Sequence, residues 1–158
     1  GALWDIGCYA VFAGHWLLGS PDRVALQRTL HPQWGTDIHS HGQLFWGQGP
    51  DAARLDFFVS TQSAKQQQLT VVGQGGWARL ESPFNPPEVA TVHWSPSGLA
   101  HEAQTLQLPP CNAYAVMVAD FVRTVAGEPP PLGGAWADSD AIQACLSELL
   151  ASDPLATH

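Results

Sequence analysis

Between residues 3 and 18 apolar side chains recur at Leu3, Ile6, Ala10, Ala13 and Leu17, a three-four spacing that sets them on one side of a helix. Gly19-Ser20-Pro21-Asp22 then breaks the period with turn-forming residues. Strand-like runs follow at residues 24–30, 37–46, 53–60, 67–72 and 77–80. Residues 89–94 and 101–108 are further strand candidates on either side of a Ser95-Pro96-Ser97-Gly98 turn. Gly47-Gln48-Gly49-Pro50 and Gly73-Gln74-Gly75-Gly76 fall between consecutive strands, which predicts hairpin connections.

Helical spacing returns after Asn112, a candidate N-cap, with Tyr114, Met117, Val118, Phe121, Val122 and Val125 on one face and Gly127 at its end. Residues 127–134 read as a loop. Ser139 is the expected cap of a last helix that turns Ile142, Leu146 and Leu149 inward and carries Asp140 near its positive end. Helix, meandering strands, then two helices describe an α+β chain: a largely antiparallel open β-sheet with helices packed on one face. Its 158 residues suit a single domain with a real core.

Charge narrows the partners. Six Lys+Arg against fourteen Asp+Glu give a net charge of −8 with no basic cluster, so neither nucleic acid nor an anionic membrane finds the cations it needs. No apolar run is long enough for a transmembrane helix, and no charged-then-apolar signal segment opens the chain. Cys8, Cys111 and Cys145 are odd in number, unpatterned and set in apolar stretches. They read as buried free thiols of a reducing, cytoplasmic compartment, not as a disulfide framework or zinc site.

Three stretches invite chemistry. Residues 69–76, LTVVGQGG, resemble a strand entering a phosphate loop, but Trp77-Ala78-Arg79-Leu80 and then Pro83, Pro86 and Pro87 follow, where a dinucleotide site needs a helix. A hairpin is expected, and no cofactor-binding residue is assigned in this chain. His39-Ser40-His41 places two imidazoles on one strand face. A metal there would need Asp37, His93 or His101 brought close by the fold, and the ordinary alternative is two polar residues on a strand surface; no metal site is assigned. Asp5 and Tyr9, four apart, share a helix face. A carboxylate beside a phenol can orient its proton for exchange with a substrate hydroxyl or carbonyl; the pair also suits plain helix-dipole electrostatics and packing.

Read together, Gly1-Ala2-Leu3-Trp4-Asp5-Ile6-Gly7-Cys8-Tyr9 resembles the (G)GALxDIGxY/H segment of the glucose–fructose oxidoreductase/inositol dehydrogenase (Gfo/Idh/MocA) family. Residues 69–80 resemble that family's I-x-G-x-x-G-x-I-x-L hairpin, Ser82-Pro83-Phe84 its continuation, Asn112-Ala113-Tyr114 with Phe121 its N-x-Y…F helix, and residues 130–150 its closing helix. The resemblance implies the C-terminal domain of a two-domain enzyme, whose N-terminal Rossmann domain binds NAD or NADP and carries a lysine in Glu-Lys-Pro. It implies catalytic roles for Asp5 and Tyr9, Tyr9 falling where glucose–fructose oxidoreductase-like and dihydrodiol dehydrogenase-like members have their proton-transferring phenol. It implies a sugar or polyol substrate, and a homodimer or tetramer paired through the sheet. Leu55, Phe57 and Val59 would face one side of that sheet; Phe58, Trp46 or Trp77 would supply an apolar patch on the other. The chain departs from the pattern in having Lys65 as its only lysine, outside any Glu-Lys-Pro, so by itself it is expected to be inactive and to bind no cofactor. A stand-alone binding or oligomerisation domain and a cupin-like metal protein using His39 and His41 are the competing readings.

Overall fold

The structure, a computed structural model, describes residues 1–130 and 136–154. It forms two compact units. One contains Gly1–Ser63 and the closing helix; the other is Ala64–Pro129.

In the first unit a π-helical turn, Leu3–Gly7, runs into helix α1, Cys8–Leu18. Three antiparallel strands follow, β1 (Arg23–Leu30), β2 (Asp37–Trp46) and β3 (Ala53–Ser60), in the order β1-β2-β3. Helix α3, Trp136–Ser152, packs on α1 and β1. Strand alternation sends Val24, Leu26, Leu44, Trp46, Phe57 and Val59 to one face, where they meet Leu3, Val11, Leu146 and Leu149. Burying a Leu or Val side chain of this kind stabilises by roughly 1.5–3 kcal/mol, so this seam holds the helices to the sheet. Gly42 faces Phe57 across β2 and β3. A Cβ at Gly42 would lie 2.1 Å from the Phe57 ring, so the missing side chain is what admits the aromatic. Arg28 reaches out of β1 to the buried carboxylate of Asp153 just beyond α3.

The second unit is a four-stranded antiparallel sheet, β4 (Gln68–Gly73), β5 (Gly76–Glu81), β6 (Thr91–Ser95) and β7 (Gln104–Gln107), in chain order. Its register gathers Leu69, Val71, Ala78, Leu80, Val92, Trp94 and Leu106 on one face and Thr70, Arg79, His93 and Thr105 on the other. Helix α2, Ala113–Val125, begins at Asn112, whose side chain accepts the Tyr114 and Ala115 amides, as an N-cap should.

The α+β class holds, with several corrections. The strands form two sheets instead of one, because the intervening Thr-Gln-Ser-Ala-Lys-Gln-Gln (61–67) has no apolar alternation to bury. A short 3₁₀ turn, Ala100–Glu102, occupies the start of the last expected strand. Helix α3 is already formed at Trp136, which puts Ser139 inside it and not at its cap; residues 131–134 of the expected loop lie outside the described residues. Trp46 belongs to the core, at 9% exposure, not to an outer patch: even-numbered positions of β2 face the helices. Helix α2 buries none of its residues, so its apolar face is open to solvent. Of the cysteines only Cys145 is buried; Cys8 is half-buried and Cys111 exposed.

Candidate active site

The segment 1–18 divides by face. Ala2, Leu3, Gly7, Val11, Ala13 and Gly14 are buried against the sheet. Asp5 lies outward, as do Trp4 at 39%, Tyr9 at 45% and, near the far end of the helix, Trp16 at 50% exposure. Four residues overshoot a 3.6-residue turn by about 40°. Asp5 itself sits in the π turn, a geometry that closes i to i+5, winds less per residue and is often found at functional sites.

What fixes this helix is Asp37. Its Oδ2 accepts the Leu3 amide at 2.6 Å and the Ser40 hydroxyl at 2.7 Å, all buried. Burial pushes the Asp37 carboxyl up, but the Leu3 amide and Ser40 hydroxyl outweigh it and hold the group below the usual carboxylate range. The same contact explains Gly1: a Cβ there would stand 1.8 Å from Asp37 Oδ1. At the other end, Gly19 takes φ 77° and accepts the Trp46 indole N–H at 3.0 Å, while His15 meets Asp138 of α3 at 3.3 Å. Asp37 and Ser40 were visible in the sequence only as a strand opening on a polar residue; nothing in their spacing pointed to a helix 34 residues away.

Beside the pair sits Cys8, whose Sγ lies 3.7 Å from the Asp5 carbonyl. Burial chiefly, and the Asp5 charge after it, push this thiol up, while backbone amides pull the other way. An exposed carboxylate and phenol on a rigid, sheet-backed helix can bind a hydroxyl-bearing ligand and pass its proton.

The other motifs go elsewhere. His39 and His41 share the sheet face turned away from the helices, His39 bonding Ser60 at 2.9 Å and stacking on Phe58. His93 and His101 belong to the second unit, where His93 meets Thr105 and Glu81. Among the described residues no group of three or more His, Cys, Asp or Glu could hold a metal. Gly73 and Gly76 close the β4–β5 hairpin, so the glycine-rich stretch is a turn between strands and offers no helix N-terminus to a pyrophosphate.

Residues 1–79 match the family model described as the GFO/IDH/MocA C-terminal domain. The chain belongs to that family. An oxidoreductase of Rhizobium meliloti is 29% identical over 142 residues, covering 86% of this chain and 42% of the relative. The NADP⁺-dependent D-xylose 1-dehydrogenase 2 of Haloferax volcanii is 31% identical over 135 residues, covering 82% and 39%. The chain thus spans about two fifths of these curated relatives. A crystal structure of a 3-ketoreductase from Actinomadura kijaniata, in complex with TDP-benzene and NADP, superposes with TM-score 0.79 at 18% identity, over 97% of this chain and 47% of that one. That similarity confirms the fold of this family's C-terminal domain. No helix among the described residues is long and apolar enough to cross a membrane.

Proposed function

We propose that this chain is the substrate-side domain of an NAD(P)-dependent oxidoreductase acting on a sugar, polyol or related hydroxyl compound. The observation that carries the reading is the outward Asp5 and Tyr9, set on a helix whose buried side is held by Asp37 within the segment that matches the family. The xylose dehydrogenase and the NADP-bound ketoreductase among its relatives support the substrate and cofactor classes.

From the resemblance to the family, the nicotinamide is assigned to a second domain of the parent protein, with the catalytic lysine. The cofactor, when bound, supplies the hydride chemistry. Tyr9 holds the substrate oxygen through its phenol and takes or returns the hydroxyl proton. Asp5 orients that phenol toward the substrate oxygen. Trp4, exposed next to Asp5, offers an apolar wall to the ligand. Subunits pair as a dimer or tetramer through the apolar face of the four-stranded sheet, where Val71, Trp94 and Leu106 stand exposed at 39%, 37% and 51%.

The test uses the full-length gene product carrying this chain, assayed with NAD⁺ and NADP⁺ against a panel of aldoses and polyols. The reading expects turnover and a loss of about 10²–10⁴ in kcat for Tyr9→Phe, with a smaller loss for Asp5→Asn. Nicotinamide turnover unaffected by Tyr9→Phe would remove the catalytic assignment. Lack of any dehydrogenase activity in the full-length protein would leave the competing reading of a binding or oligomerisation domain. Sedimentation of Trp94→Glu checks the pairing; an unchanged oligomer would refute that surface.

A further inference from the structure

On the sheet face opposite the helices, the starts of β1 and β3 and the β2–β3 turn enclose a cleft of about 690 Å³ lined by Asp22, Arg23, Phe45, Gln48 and Arg54, among others. Three of these residues form one cross-strand row: Arg23 is the register partner of Phe45 and Phe45 of Arg54. Equivalent positions on paired strands point the same way, and strands lie about 4.8 Å apart. Two guanidinium-bearing side chains therefore flank one phenyl ring with their Cα atoms roughly 10 Å apart.

The charges in this row are oriented but not consumed. The Arg23 guanidinium carbon lies over the Phe45 ring, 3.7 Å from its centroid. A cation–π contact occupies the guanidinium face and leaves its N–H edge free for an in-plane acceptor. Among the described residues no carboxylate pairs with Arg23. The neighbouring acid, Asp22, also lines the cleft, but its Oδ2 is taken up by the Gly47 amide at 2.7 Å. Arg54 spends its Nε on Asp56 Oδ2 at 2.7 Å, one of five N–H donors a guanidinium carries. An acidic chain with six cationic side chains in all thus commits two of them to one cleft.

We infer that this cleft binds an oxyanion, a phosphate or carboxylate group, clamped between the Arg23 and Arg54 guanidiniums above Phe45. Planar forks that offer paired N–H donors match both anions. The site lies on the far side of the sheet from Asp5 and Tyr9 and stands or falls independently of their proposed chemistry.

The experiment is a titration of the full-length gene product carrying this chain with inorganic phosphate and, separately, with acetate, at ionic strength held constant with sodium chloride. The arginine Nε–H resonances are followed by NMR. Saturable shifts of Arg23 and Arg54, weakened at least tenfold in Arg23→Gln and in Arg54→Gln, support the site. Arg23→Lys keeps the charge but loses the fork and should also weaken it. Response to phosphate alone assigns a phosphorylated ligand; response to acetate alone assigns a carboxylate. Shifts that chloride reproduces, or that survive both glutamine variants, overturn the proposal. So do shifts that follow protein concentration and not added anion, since the cleft would then be a contact between copies.

Discussion

Removing the Asp37 carboxylate is the sharpest test of how this fold presents its helix. In Asp37→Ala the Leu3 amide and the Ser40 hydroxyl, both buried, lose the one oxygen they share. A buried donor left unsatisfied costs about 1–3 kcal/mol, so the variant should lose roughly 3–5 kcal/mol in all. For a chain of this size that is a fall in Tm on the order of 10 °C. Asp37→Asn can still accept both hydrogen bonds through Oδ1 but without charge assistance, and should lose only about 1–2 kcal/mol. The pH dependence separates the explanations. The folded carboxyl lies below its ordinary value, so its stabilisation is present above the unfolded pKa of about 3.9 and is lost as pH falls through the lower folded value. Urea melts between pH 7 and pH 3 should therefore show an acid-side loss that Asp37→Asn flattens. Asp56, held low chiefly by the Gln43 amide and also by Arg54, titrates in the same direction, so the comparison is made in an Asp56→Asn background. An Asp37→Ala variant within 1 kcal/mol of wild type, or an acid limb unchanged in Asp37→Asn, would refute the assigned role.

Gly42→Ala forces a methyl into the Phe57 ring and should destabilise by about 1–3 kcal/mol as an overpacked core site; urea unfolding reads this, and restoration by Phe57→Leu in the same background would trace it to the ring. The Cys145 thiol, pushed up to about 11 by burial and then by Glu148, leaves about one molecule in a thousand as thiolate at pH 8. Exposed Cys111 should therefore react with a thiol reagent far sooner than Cys145, and equal rates by mass spectrometry would contradict the buried placement. Asn112→Ala strips the cap from the Tyr114 and Ala115 amides and should cost about 1 kcal/mol of helix stability. Faster amide exchange confined to the first turn of α2 is the expected signature.

Where one side of an element is wet, the sequence showed its structure plainly. Strand β2 ran over Asp37–Trp46 and β3 over Ala53–Ser60 as expected, because their residues alternate between a helix-covered and an open face. Helix α2 was legible from its cap and spacing, yet the spacing said nothing about what covers its apolar face, and in the structure that face is open. Trp46 and the start of α3 were misplaced for local reasons: parity along β2 decides which aromatic goes inward, and α3 begins without the cap expected at Ser139. The outward placement of Asp5 and Tyr9 agrees with their spacing. The Asp37 anchor and the Arg23–Phe45 half of the Arg23–Phe45–Arg54 row could not be read, since both depend on pairing between segments more than 20 residues apart.

The nine residues from Gly1 to Tyr9 carry two separable requirements. Gly1 is small because Asp37 approaches it, Gly7 because a Cβ there would come within 2.9 Å of Leu3, and Ala2 and Leu3 fill a dry seam with no exposure at all. Packing alone therefore explains these positions in any protein that lays such a helix on such a sheet. It explains neither Asp5 nor Tyr9, which face solvent and add nothing to the seam. A carboxylate and a phenol kept on the open side of a tightly specified helix do not fill that seam. That division makes a clear demand: substitutions at Gly1 or Leu3 should act on stability first, while Asp5→Asn and Tyr9→Phe should move the unfolding curve far less. If either outward substitution unfolded the domain as readily as the inward ones, the separation of scaffold from site would be wrong, and the catalytic proposal would lose its structural argument.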